Sequence, residues 1–530
     1  MIAIRQITST ILFSFLLFSS TATFAAPSAS KVILLNNINV IDATGSPVQM
    51  GMNVLIEDGF ISAIQKDKIS IGLGEKIDGT GRFLIPGLWD MHVHWSAESY
   101  LPLFIANGVT GTRQMWGFPM HYDWKSRIAS SEEFISPRIL IASIIIDGPN
   151  KIRPGSLSAT TELEGREYVR RFHGMGADFI KVYHNLRPNV YFAIADESQK
   201  LGIPFAGHVP TAITVEEVSD AGQESIEHLE GIPLALSSDR HDIQEASKNA
   251  SSRKERLALS GRIVDTFDPS LMAPLFDRLK KNGTWQSPTL TVLRNSAYLR
   301  ERAELDRERL EYLPAYITSS WEAKNNPFYQ NWTAEDWVIA QRNFEHSKML
   351  VGELNRAGVK IIAGTDVSNP YCFPGFSLHD ELQLLVESGL TPMQALQAAT
   401  KNAAEFSKQL DVLGTVEVGK IADLVILDAN PLIDIRNTTK ISTVIFDGRV
   451  YSREKLDKML EAVKSTSLPS LVDLVNGLQV MAAIFASDYP TLVVLAMLAP
   501  WVILIGAGYV LWFWLKRRRL RRLRLRESIS

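Results

Sequence analysis

The chain has 530 residues, 46% of them hydrophobic and 21% charged, with 33 glycines and a formal net charge of −3. This composition excludes disordered, fibrous and low-complexity classes, and the length exceeds what one compact core accommodates. A single cysteine, Cys372, excludes any intrachain disulfide.

The chain opens with Arg5, an apolar run over 11–18 and small residues through Ala25 and Ala26, the layout of a secretory signal peptide over 1–26. Residues 27–86 carry short apolar pieces separated by Asp-Gly, Gly and Ser, and the same texture returns over 402–455 in GKIADLVILD and VIFDGRV. Both stretches read as β-sheet, so the two chain ends are expected to share one composite β domain.

Over 87–401, short apolar runs at 108–111, 139–146, 179–182, 204–207, 225–228, 289–292 and 360–363 alternate with helical stretches. Such alternation predicts βα units and a parallel sheet closed as a (β/α)8 barrel, with chemistry at the strand C-termini. The charged stretch 235–348 reads as a helical insertion over the barrel mouth, either shaping a substrate pocket or standing as a solvated hairpin.

Residues 456–490 form a juxtamembrane region. The 24 residues 492–515 lack any formal charge and have the length to cross a bilayer, which predicts a transmembrane helix over 491–515. The basic tail 516–530 holds 8 of the 55 lysines and arginines and places the C-terminus in the cytoplasm. Without the tail the chain has 47 basic against 57 acidic residues, which argues against nucleic acid as a partner. Export without disulfides then predicts a single-pass protein of the bacterial inner membrane, its catalytic part in the periplasm. The membrane and a second copy of the chain are the candidate partners besides substrate.

In PGLWDMHVH, alternation along a strand puts Asp90, His92 and His94 on one face, where two imidazoles can chelate one ion. His208 ends the run IPFAG, His228 ends ESIE, and Asp366 closes VKIIAGTD. Four histidines and an aspartate at strand ends form a metal constellation. Lys181, in DFIKVYH, is an amine within an apolar strand, a place that demands pairing or chemical use.

The ordered set PGLWDMHVH, GADFIKVY, GHVP, SIEHL, AGTD and GKIADLVILD resembles the amidohydrolase superfamily of metal-dependent hydrolases over roughly 32–455, above all its imidazolonepropionase-like and Xaa-Pro dipeptidase-like members. The resemblance implies an α/β fold, a (β/α)8 TIM barrel with a flanking β-sandwich built from both chain ends. It implies His92 and His94 on a first metal, His208 and His228 on a second, and Asp366 on the first as well as in proton transfer. Lys181 matches the bridging lysine, carboxylated by CO2. An amine cannot bridge two cations, whereas a carbamate, with two oxygens and a negative charge, can. The cofactors are two divalent ions sharing a hydroxide; zinc suits imidazole and carboxylate donors first, with iron, manganese and cobalt left open.

Asp366 would then accept the hydroxide proton and pass it to the departing amine. Tyr183, His184, Arg153 and His379 are further candidate substrate contacts, and Asp90 is a candidate acceptor behind a ligand imidazole. The expected activity is cleavage of an amide C–N bond in a small-molecule substrate, a dipeptide or N-acyl amino acid. The alternatives are a lactone, cyclic-amide or phosphotriester hydrolase on the same site, and a non-catalytic membrane-anchored binding protein.

Overall fold

A computed structural model describes residues 31–95, 97–130, 134–250, 252–464 and 473–478. The two chain ends share one eight-stranded sheet. Its order runs Arg449–Ser452, Ile441–Phe446, Leu424–Leu427, Phe83–Pro86, Val32–Val40, Gln49–Glu57 and Phe60–Gln65, with Glu75–Asp78 paired to Val32–Val40. The join is the antiparallel pairing of Leu424–Leu427 with Phe83–Pro86. Two hairpins turn on Asp58-Gly59 and Asp447-Gly448, where both central residues have positive φ, as a two-residue type I′ loop requires.

The edge strand Phe60–Gln65 returns to the segment before Leu424: Phe60 bridges Ile421, and Ile61 N donates to Lys420 O at 2.8 Å. The sheet therefore curls around its own apolar filling, which includes Leu35, Val54, Ile56, Leu424 and Ile426. What the sequence suggests as a sandwich is one continuous sheet whose two halves face each other.

The middle of the chain closes a parallel barrel. Its strands are Leu88–Val93, Val109–Gln114, Arg138–Ile141, Ile180–Val182, Phe205–Gly207, Ser225–Glu227, Trp285–Ser287 and the segment 360–367. Bridges Ala142 to Phe179, Gln286 to Ile361 and Val93 to Val367 complete the ring. Several helices around it start on a Ser or Thr whose hydroxyl and an acidic or amide side chain three residues on satisfy each other's backbone N–H; Thr161 with Glu164 and Thr214 with Glu217 are two such boxes.

The seventh strand departs from the sequence reading. It is Trp285–Ser287, not 289–292, and Leu290–Ala297 is helical. The stretch 235–348 is thus divided by a barrel strand, with helices Arg240–Asn249, Arg253–Asp265 and Met272–Asn282 before it. A three-residue strand between charged helices leaves too short an apolar run to register as a period.

Among the described residues no helix is long and apolar enough to cross a membrane. The longest, Ala334–Ala357, has the length, but Glu335, Asp336, Arg342, Glu345, Lys348, Glu353 and Arg356 punctuate it, so its apolar stripe faces protein. This finding overturns the expected C-terminal transmembrane helix, the single-pass inner-membrane location and the membrane as partner. The segment 491–515 on which that expectation stood lies outside the described residues, as do the signal peptide 1–26 and the tail 516–530.

Candidate metal centre

The first and eighth barrel strands meet where the site begins. Asp366 N donates to His92 O at 2.8 Å, and Met91 N donates to Ala363 O at 2.8 Å. Gly364 permits this approach, since a Cβ there would lie 2.7 Å from His92 Cβ. Across the seam, Nε2 of His92 and Nε2 of His94 stand 3.2 Å apart, and Asp366 Oδ1 lies 3.3 and 3.1 Å from them. Three donor atoms from two strands converge on one point.

Behind His92 stands a residue that the sequence reading did not single out. Glu227 Oε2 is 2.7 Å from His92 Nδ1, both side chains wholly buried. Arg113 binds the other oxygen at 2.5 Å and Ser225 Oγ donates to it at 2.6 Å. Burial pushes the Glu227 carboxyl up, but the Arg113 guanidinium and the His92 contact outweigh this and hold it well below the usual range. Burial lowers the His92 imidazole to about 3, so it is neutral and able to act as a donor. Asp90, the expected support for an imidazole, instead accepts from Thr365 N at 3.0 Å and Thr365 Oγ1 at 2.6 Å, tying the first strand to the eighth.

Lys181 lies in the middle of the fourth strand, every residue of which is buried. Its Nζ has no hydrogen-bond partner among the described residues, and burial drops its pKa to about 8. An unpartnered buried amine beside two convergent donor groups fits a lysine that carries a further polar group, as carboxylation would supply. His228 follows the sixth strand with φ 59°; its Nδ1 is 2.5 Å from Thr289 Oγ1, and its Nε2 is 4.0 Å from Asp366 Oδ2. The ring of His228 lies 4.7 Å from that of His92 and 4.9 Å from that of His208.

A second convergence forms at the ends of the fourth to sixth strands. His184 Nε2 is 3.1 Å from His208 Nδ1, Glu230 Oε2 is 2.7 Å from His208 Nδ1, and Glu230 Oε1 pairs with His184 Nε2. Gly207 leaves the room for His208 to follow, because a Cβ there would lie 2.2 Å from Val182 O. The Tyr183 ring packs 4.2 Å from the His208 ring, and exposed Arg153 reaches the Tyr183 hydroxyl at 3.4 Å. Donor groups of imidazole and carboxylate type suit a borderline divalent cation such as zinc.

The structure brings together His92, His94, Asp366 and His228, with Lys181 beneath them and His184, His208, Tyr183 and Arg153 beside them. His379 is not among them: buried, its Nε2 faces Asn107 O at 3.1 Å and its Nδ1 faces Thr438 Oγ1 at 3.0 Å, pinning helix Phe376–Glu387 to the shared sheet's connection. Cys372 is buried, and burial pushes its thiol well up, leaving it unreactive.

In sequence, the ochratoxinase of Aspergillus niger is 38% identical over 105 residues, which is 19% of this chain and 21% of that protein. The match therefore spans well under two thirds of the relative's length. Among solved structures, bottromycin amidohydrolase superposes with a TM-score of 0.64 at 21% identity, over 82% of this chain and 90% of that one. A Xaa-Pro dipeptidase with bound methionine in the active site does so with a TM-score of 0.57 at 22% identity, over 80% of this chain and 100% of that one. At these identities the two structures speak for a shared fold. Residues 83–451 match the Amidohydrolase family, from the strand that precedes the barrel to the last strand of the shared sheet. That span takes in every residue of the metal centre, and it makes this chain a member of the amidohydrolase family, whose enzymes hydrolyse carbon–nitrogen bonds.

Proposed function

We propose that this chain is a metal-dependent amidohydrolase that cleaves the amide bond of a dipeptide or N-acyl amino acid. The observation that carries the reading is the convergence of His92, His94 and Asp366 above the unpartnered amine of Lys181, at the C-terminal mouth of the barrel. His92, His94 and Asp366 would hold one divalent ion, and His208, His228 and a carboxylated Lys181 a second. Such ions, when bound, supply Lewis-acid polarisation of a carbonyl and a water acidified toward neutral pH.

The chain's own residues do the rest. Asp366, held as a carboxylate by His92, His228 and His94 against the pull of burial, accepts the proton of the attacking water and delivers it to the nitrogen of the departing amine. Arg153 at the rim meets a substrate carboxylate, with the Tyr183 hydroxyl beside it. Among the family's relatives, the name of the Xaa-Pro dipeptidase denotes a dipeptide substrate, which supports this class.

The test is a panel of dipeptides, N-acyl amino acids, lactones and phosphotriesters offered to the full chain, with metal counted in the same sample. The expected result is amine release from the first two classes, abolished by a chelator and restored by Zn2+. Turnover of lactones or phosphotriesters alone would replace this reading. A fully metal-loaded protein without turnover of any class would make it a binding protein.

A further inference from the structure

The two convergent groups have the same build. At His92, His94 and Asp366, two ring nitrogens 3.2 Å apart share a carboxylate oxygen 3.1 to 3.3 Å away. At His184, His208 and Glu230, two ring nitrogens 3.1 Å apart share a carboxylate whose oxygens lie against both, at 2.7 Å in the case of His208. The donor atoms within each group all lie within 4.8 Å of one another.

A ring nitrogen offers either one hydrogen or one lone pair in the plane of the ring. Hydrogen bonds to Glu230 from both rings would require two N–H groups side by side at 3.1 Å, whereas one divalent cation takes a lone pair from all three residues at once. His228, by contrast, directs its Nε2 toward Asp366. We propose that His184, His208 and Glu230 form a divalent cation site, the second of the centre, in which His184 and Glu230 stand in the places that the family resemblance gives to His228 and Lys181. The inference rests on the two-ion reading and departs from it in the ligands.

The ions are counted by mass spectrometry on the full chain, stripped with a chelator and reloaded with Zn2+, each variant's fold being checked by circular dichroism. Wild type should hold two ions per chain, and Glu230→Gln and His184→Asn one each. A His92→Asn, His94→Asn double variant should retain one ion and lose it when Glu230→Gln is added, which tests the site apart from the first ion. Two ions in wild type and also in both single variants would overturn this ligand set and leave the two-ion reading standing. One ion in wild type that persists in Glu230→Gln would overturn both.

Discussion

Glu227 accepts a hydrogen bond from Nδ1 of His92 at 2.7 Å, and neither side chain touches solvent. An ionised carboxylate only accepts, so Nδ1 carries the proton and the lone pair of Nε2 faces His94 and Asp366. Glu227→Gln should weaken Zn2+ binding about 10- to 100-fold in a chelator competition. Arg113→Met alone should cost about 3–5 kcal/mol of stability by stranding the buried carboxylate. Combining Arg113→Met with Glu227→Leu should recover much of that stability while metal affinity stays low, and recovery of affinity would refute the positioning role.

The buried amine of Lys181 gives a second expectation. Lys181→Ala should lose metal, and short carboxylates such as acetate or propionate should restore part of the metal content and activity by standing in for a carbamate. Full metal retention in the variant without added acid would show that the lysine carries no ligand oxygen.

Arg153 sits exposed at the mouth, its Nε 3.4 Å from the Tyr183 hydroxyl. A charge-assisted contact of this kind contributes about 1.5–3 kcal/mol. Arg153→Ala should therefore raise KM about 10- to 100-fold for dipeptides with a free C-terminal carboxylate and leave their C-terminal amides unaffected. Equal effects on both series would remove Arg153 from carboxylate recognition.

Two histidines outside the centre set the response to acid. His121 accepts from Phe118 N at 3.0 Å through Nδ1 and donates from Nε2 to Trp95 O at 2.9 Å, so protonation breaks a bond. Burial lowers both His121 and His379 to about 4 from the usual 6.5. The unfolded chain takes up these protons near pH 6.5 and the folded chain only near pH 4, so stability is fully present above 6.5 and falls as pH drops toward 4. The loss should reach about 2–3 kcal/mol per histidine. Urea unfolding in the presence of chelator should show this slope, and His121→Gln with His379→Gln should flatten it while lowering stability at pH 7.5. An unchanged slope would refute the assignment.

The metal centre was legible where chemistry coincided with a strand end. His92, His94, His208, His228 and Asp366 each close a short apolar run, and Lys181 betrayed itself as a charge inside one. The same signal marks Arg113 in GVTGTRQM and Glu227 in SIEHL, since both are charges on strands that prove wholly buried. The sequence reading passed over them because each also fits an exposed position on a half-buried strand. Glu230 gave no such sign: it lies on a turn past the sixth strand, and only the approach of three separate strand ends sets it against His184 and His208. The barrel followed from alternation, but its seventh strand, three residues long, fell below the length at which a period can be seen.

The seam between the first and eighth strands joins parts of the chain far apart in sequence: Asp90 and Thr365, hydrogen-bonded there, are 275 residues apart. An ion on His92, His94 and Asp366 therefore also acts as a clasp on the longest loop the fold closes, and loop closure is costly in chain entropy. Stripping the metal should loosen this clasp before anything else. Amide exchange should then quicken first along 88–94 and 361–367, while the hairpins on Asp58-Gly59 and Asp447-Gly448, closed by neighbours in sequence, keep their pace.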